Sequence, residues 1–275
     1  MKTFWNLRRR TLALFLAAAA LILAVMAAGL LLEEAAMVTD FTRRNLAPSL
    51  RFPFGTDWLG RDMLARTLAG LSLSIRIGVL TAAVSALLAA AIGLAAATLG
   101  RRVDAVLSWL MDLMMGIPHI LLMLLISLAC GRGFWGVVAG VSLSHWPSLA
   151  RLLRGEVIQL REAVYLRTAA HLGVSRLGLV RRHILPHLLG QFLTGLVLQF
   201  PHAILHEASV TFLGFGLSSE QPAIGVILSE SMRYLTTGRW WLALFPGLAL
   251  AALVMLFAVM GERLRRLLDP SAAHE

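Results

Sequence analysis

Six stretches of this 275-residue chain, near residues 11–32, 72–99, 104–129, 134–150, 187–212 and 240–261, are apolar over about the length of a bilayer crossing. A span needs ~20 predominantly apolar residues, and within hydrocarbon every backbone N–H and C=O must find a partner inside the protein. Only helices and closed barrels meet that demand. The runs here are continuous Leu, Ala and Val, not the ~10-residue alternating segments of a barrel. Hydrophobic residues make up 58% and charged residues only 15% of the chain. These observations predict an all-α membrane protein with about six transmembrane helices. The domain limits expected are an N-terminal anchor helix and loop at 1–71 and a transmembrane domain at 72–270.

The net charge of +10 does not mark a nucleic-acid binder, because the basic residues flank apolar runs instead of covering a soluble face. Their distribution gives orientation. With the amino terminus inside, the cytoplasmic side gathers Lys2, Arg8, Arg9, Arg10, Arg101, Arg102, the arginines between 151 and 182, Arg263, Arg265 and Arg266. The opposite side holds about half as many, offset by Glu33, Glu34, Asp40, Asp57 and Asp62. The positive-inside rule then predicts a multi-pass protein with both termini cytoplasmic. The first apolar run is longer than the ~7–15 residues of a signal-peptide core, so it reads as a retained anchor.

Lys2 is the sole lysine and lies in no Gly-x-x-x-x-Gly-Lys-Ser/Thr context, so P-loop ATP hydrolysis by this chain alone is excluded. Gly214-Phe215-Gly216 lacks the third glycine of a dinucleotide fingerprint. The sequence also holds no His-Glu-x-x-His, Cys-x-x-Cys or Gly-x-Ser-x-Gly, which leaves enzymatic catalysis unsupported. Cys130 is the single cysteine and cannot form an intrachain disulfide.

Between the fourth and fifth runs lies an Arg-rich segment, 151–186, that is too polar to cross a membrane. After Pro147 no proline occurs before Pro186, and Leu152, Leu153, Val157, Leu160, Val164 and Leu166 alternate with Arg, Glu and Gln at helical spacing. Gly173 is placed to end a helix, Arg176 to Arg182 suits a second short one, and Pro186 opens the next span as a first-turn residue. Such a segment either lies against anionic membrane lipid or enters a groove on a cytoplasmic partner.

Tyr165-Leu166-Arg167-Thr168-Ala169-Ala170-His171-Leu172-Gly173, followed by Arg182-His183-Ile184-Leu185-Pro186, resembles the EAA loop of binding-protein-dependent ABC importer permeases. Three further stretches, Pro53–Asp62, Glu207–Leu217 and Trp241–Leu248, are similar to the second permease of dipeptide, oligopeptide and nickel importers. The resemblance covers about residues 50–270 and implies a type I importer transmembrane domain in a bacterial inner membrane. It implies as partners a second homologous permease, two P-loop ATPases and a periplasmic or lipid-anchored binding protein. ATP and Mg²⁺ would belong to the ATPases, and this chain would bind no cofactor. Arg161, Glu162, Tyr165, Arg167, Thr168, Ala169, Gly173 and Pro186 are then the expected ATPase-coupling surface. Arg167 departs from the family's glutamate at the head of the triplet.

Ionisable groups inside spans are expensive and mark candidate pathway residues. Asp112, His119, His145, His202, His206 and Glu207 qualify, of which His145, His202, His206 and Glu207 are the expected substrate-pathway set. His202 and His206 stand four apart, on one helix face, a spacing that permits two imidazoles to meet one metal ion. Interhelical hydrogen bonding or a span-end position explains them more simply. The substrate class expected is nickel, a metal chelate or a short peptide, with a slight lean to metal on the histidines. The rival class is a secondary transporter or channel acting without an ATPase, with hinges at Pro118 and Pro201. The loop before the second span is expected to be structural: Asp62 caps the helix start and Arg61 pairs with Asp57.

Overall fold

A computed structural model describes residues 7–268, and there the chain is helical with no β-strand. Lys2 and the outer domain limits at 1 and 270 lie outside the described residues. The long helices are α1 (Leu7–Leu31), α2 (Met63–Thr98), α5 (Phe134–Arg161), α8 (Leu185–Phe212) and α10 (Trp241–Leu268). Shorter helices are α3 (Arg101–Gly116), α4 (His119–Ala129), α6 (Val164–His171), α7 (Arg176–Leu179) and α9 (Ile224–Leu235).

Helix α2 is the axis of the bundle and packs against α1, α5 and α8. Its 36 residues span about 54 Å at the α-helical rise of about 1.5 Å per residue. It begins at Met63, well before the apolar run at 72, so the boundary expected at 71/72 falls within it. Its buried positions are mostly Ala, Gly, Ser and Thr. Lipid offers no hydrophobic drive between helices, so close backbone approach through small residues supplies the packing. A Cβ on Gly93 would stand 2.6 Å from the Ala150 carbonyl oxygen of α5, and one on Gly78 2.6 Å from Ile204 Cγ1 of α8.

Among the described residues, four helices, or five if a bent pair counts as one span, are long and apolar enough to cross a membrane. The run at 104–129 is that pair: α3 and α4 meet at a 99° bend at Ile117-Pro118. Proline disfavours the α region for the residue before it, and Ile117 is extended, with φ −84° and ψ 136°, at the break. The run at 134–150 lies in α5, which is long enough but too polar to qualify, with Ser142, Ser144 and His145 in its middle. It packs against α2, α3, α4 and α8, so protein shields those groups from lipid.

Two ion pairs hook α3 onto α5. Arg154 grips Asp104 bidentately, with Nε and Nη2 at 2.5 and 2.7 Å from the two carboxylate oxygens. Arg151 pairs with Asp112, which commits that aspartate to a neighbouring helix.

The 40–62 loop is pinned as expected. The Asp62 carboxylate accepts from Leu64 N–H at 2.8 Å as the α2 cap, and Arg61 Nε lies 2.6 Å from Asp57. Arg66 Nη1 reaches the same carboxylate at 2.8 Å, and its Nη2 reaches Glu230 of α9 at 3.1 Å. Trp58 stacks on Tyr234 at 4.8 Å, so the loop is fastened to both α2 and α9.

Candidate functional site

The Arg-rich segment folds into short helices at one end of the bundle. Helix α5 stops at Arg161, whose Nη1 donates to the Ala97 carbonyl at 2.5 Å and ties the turn to the end of α2. Helix α6 follows and buries Leu166, which is only 3% exposed, in a cluster with Ala97, Leu153, Val157 and Ile184. That anchor leaves much of α6 facing outward. Val164, Tyr165 and Leu172 are exposed, and Thr168 spends its hydroxyl on the Val164 carbonyl at 2.9 Å. Tyr165 also meets the His183 ring edge-on at 6.1 Å.

Gly173 ends the helix as expected. Its φ is +86°, and Val174 N–H donates back to the Ala169 carbonyl at 3.1 Å, the long bond of a Schellman stop. Nothing lies within 4 Å of the Cβ position of Gly173, so this corner is free for a neighbour. Arg167, in the position where the family carries glutamate, is ion-paired with Glu162, and both side chains are more than half exposed. Glu162, Tyr165, Arg167 and Thr168 of the expected coupling set are exposed here, with acid and base adjacent. A cavity of about 250 Å³ lies beneath them, lined by Thr98, Arg161, Leu166, Arg167, Leu179, Val180 and Ile184.

Pro186 stands where expected, in the first turn of the fifth long apolar run, α8. That helix runs on without interruption from Leu177 through a π-turn at Val180–Ile184. Proline has no N–H to give the i−4 carbonyl and its ring crowds that carbonyl. The wider turn, closed by Leu185 N–H on the Val180 carbonyl, takes up the mismatch and keeps the helix continuous.

The second polar site lies inside the bundle. His145, His202 and His206 line one cavity of about 350 Å³ together with His119, Gln199 and Ser144. Glu207 does not join them. It is fully buried on the opposite side of α8, where its carboxylate accepts from Ser74 Oγ of α2 at 2.6 Å and from Thr211 Oγ1 at 3.1 Å. Successive helical residues point ~100° apart, so adjacency to His206 in sequence does not bring the carboxylate to the same cavity. Glu207→Ala is expected to destabilise the protein by about 1–3 kcal/mol by orphaning two buried hydroxyls, with Glu207→Gln costing less. Thermal unfolding in detergent micelles checks this; an unchanged midpoint for the alanine variant contradicts the clamp.

His119 and Gln199 were absent from the expected pathway set. His119 carries the signal of any ionisable group in a span, but its partners lie on other helices, and no periodicity links them. Gln199 carried none, since a lone glutamine in a span is common.

A model of the binding-protein-dependent transport system inner membrane component family matches residues 89–274. Over 232 residues the chain is 38% identical to a putative peptide transport system permease protein of Brucella suis, covering 84% of this chain and 78% of that one. It is 30% identical to the dipeptide transport system permease protein DppC of Bacillus subtilis, over 84% of this chain and 72% of the relative. To the oligopeptide transport system permease protein OppC of the same organism it is 31% identical, over 84% and 76%.

Proposed function

The chain belongs to the family of binding-protein-dependent transport system inner membrane components, the permeases of ABC importers, and on that premise we propose that it forms half of an ATP-driven translocation pathway for short peptides. The observation that carries this reading is the outward surface of α6 with its open corner at Gly173. An ATP-driven permease without a P-loop needs a separate motor, and a short helix anchored by buried Leu166 presents a surface for a groove. The partners are a second homologous permease, two P-loop ATPases that hold ATP and Mg²⁺, and a substrate-binding protein. The transmembrane domain then begins with α2 at Met63, not at 72, with the anchor helix α1 and the loop before Met63 alongside. The family supports an inner-membrane location, and the arginine asymmetry supports both termini in the cytoplasm. The peptide cargo rests on what the relatives' names state. A nickel or metal-chelate cargo is the second reading, favoured by the histidine-lined cavity.

Gly173→Trp in the reconstituted complex tests the coupling surface. The substitution strains a left-handed residue and fills the open corner. Uptake and stimulation of ATPase by loaded binding protein are expected to fall about tenfold, a loss of about 1.4 kcal/mol of coupling, with basal hydrolysis retained. Normal uptake with normal stimulation removes the assignment. Competition between labelled dipeptide and Ni²⁺ for uptake separates the two cargo readings. Accumulation by this chain alone in proteoliposomes would instead favour a secondary transporter or channel.

A further inference from the structure

Three histidines converge from three helices. His119 opens α4, His145 lies near the middle of α5, and His206 stands six residues before the end of α8. Their ring centroids form a near-equilateral triangle with sides of 4.5, 4.8 and 4.9 Å. One ligating atom from each lies within 4.8 Å of the other two, and all three side chains are half-buried at the wall of the cavity. As cations these rings would repel one another. A shared electron-pair acceptor turns the same convergence into attraction.

Two independent details point to such a guest. His145 Nδ1 lies 3.0 Å from the Val141 carbonyl oxygen. Donation of Nδ1–H there leaves Nε2 with its lone pair free, the arrangement that orients metal-binding histidines. Gln199, nine-tenths buried, lines the same cavity, and neither its Oε1 nor its Nε2 has a hydrogen-bond partner. An orphaned buried amide is costly, and a ligand carrying polar atoms into the cavity relieves it.

We propose that His119, His145 and His206 bind one divalent transition-metal ion through imidazole nitrogen, with a further position open to the cavity and Gln199. Three neutral nitrogen donors suit Zn²⁺, Co²⁺, Ni²⁺ or Cu²⁺ and not Mg²⁺ or Ca²⁺, which take oxygen. Glu207 is committed to Ser74 and Thr211, so it brings no carboxylate to the set. Tetrahedral coordination places donor nitrogens roughly 3.3 Å apart, so the rings close inward by about 1.5 Å at most on binding. His202 lines the cavity but stands outside the triangle, which replaces the His202–His206 pair expected from helical spacing. The ion would lock α4, α5 and α8 together beside the break at Pro118. This inference goes beyond the transport reading and holds for either cargo.

Co²⁺ titration of the untagged chain, purified with its partner subunits, decides it. One equivalent should bind with the visible absorption of a four-coordinate cobalt site. His119→Ala, His145→Ala and His206→Ala should each weaken binding about 30-fold or more, whereas His202→Ala should change it by less than about threefold. His119→Cys should retain the ion and add thiolate-to-cobalt charge-transfer absorption, a gain that misfolding cannot produce. No stoichiometric Co²⁺ binding by the wild type overturns the proposal. So does binding that survives the three alanine substitutions, which would place the ion elsewhere, such as at exposed Cys130.

Discussion

Asp57→Ala is expected to destabilise the folded bundle by about 3–5 kcal/mol, the range for removing one partner of a buried ion pair. The Asp57 carboxylate is fully buried and accepts four hydrogen bonds, from the backbone N–H of Leu59 and Arg61, from Arg61 Nε and from Arg66 Nη1. Arg66 is 1% exposed, and its other carboxylate partner is Glu230, whose side chain is 21% exposed. Without Asp57, two guanidinium groups share that single, partly solvated carboxylate. The intact network is not itself proof of high stability, because desolvating the charges offsets much of their attraction. The asymmetry lies in removing one member. Asp57→Asn keeps an acceptor for the two backbone N–H groups and loses the charge, so it should fall between wild type and Asp57→Ala. Adding Arg66→Met to Asp57→Ala should recover part of the loss by removing one stranded cation. Denaturant unfolding in micelles, followed by helical circular dichroism, measures the series. A loss under about 1 kcal/mol for Asp57→Ala would show that the network does not hold the loop.

Gly93→Val should have the next largest effect, at or above the upper end of the ~1–3 kcal/mol typical of overpacking. The obstacle to a Cβ there is backbone: the Ala150 carbonyl oxygen at 2.6 Å and the Arg154 nitrogen at 3.3 Å. Neither can rotate away as a side chain would, so α2 and α5 must separate. That separation strains the Arg154 grip on Asp104, and one turn further along α2 it disturbs the Ala97 carbonyl that holds Arg161. The coupling segment should therefore loosen together with the bundle, visible as faster proteolysis between residues 161 and 176. Gly155→Ala is the control, since Gly155 sits in α5 with nothing within 4 Å of its Cβ position. It should stabilise by about 0.5–1 kcal/mol through helix propensity. If Gly93→Val and Gly155→Ala behave alike, close approach at the α2–α5 crossing is not what packs these helices.

The features readable in the sequence were those set by neighbours along the chain. Asp62 caps α2 because its side chain reaches a backbone N–H two residues on, and Asp57 reaches Arg61 across four positions. Gly173 ends α6 because only glycine enters the left-handed region without Cβ strain. The Arg66–Glu230 contact joins residues remote in sequence, and no local pattern announces it. Within the apolar run at 104–129 the sequence marked Pro118 as a candidate hinge, but hydropathy averages over a window and could not give the 99° bend.

Composition and local spacing alone thus determined that the chain is a helical membrane bundle, where the Asp62 cap and the Gly173 stop fall, and which segment projects as short amphipathic helices. Solvent preference and backbone geometry act over one to five residues, and a sequence displays them directly. Tertiary structure decided which helices touch, that Leu166 points inward and Tyr165 outward, that Glu207 turns to Ser74, and that His119, His145 and His206 meet. Those outcomes depend on the rotation and crossing of whole helices, which interhelical packing sets.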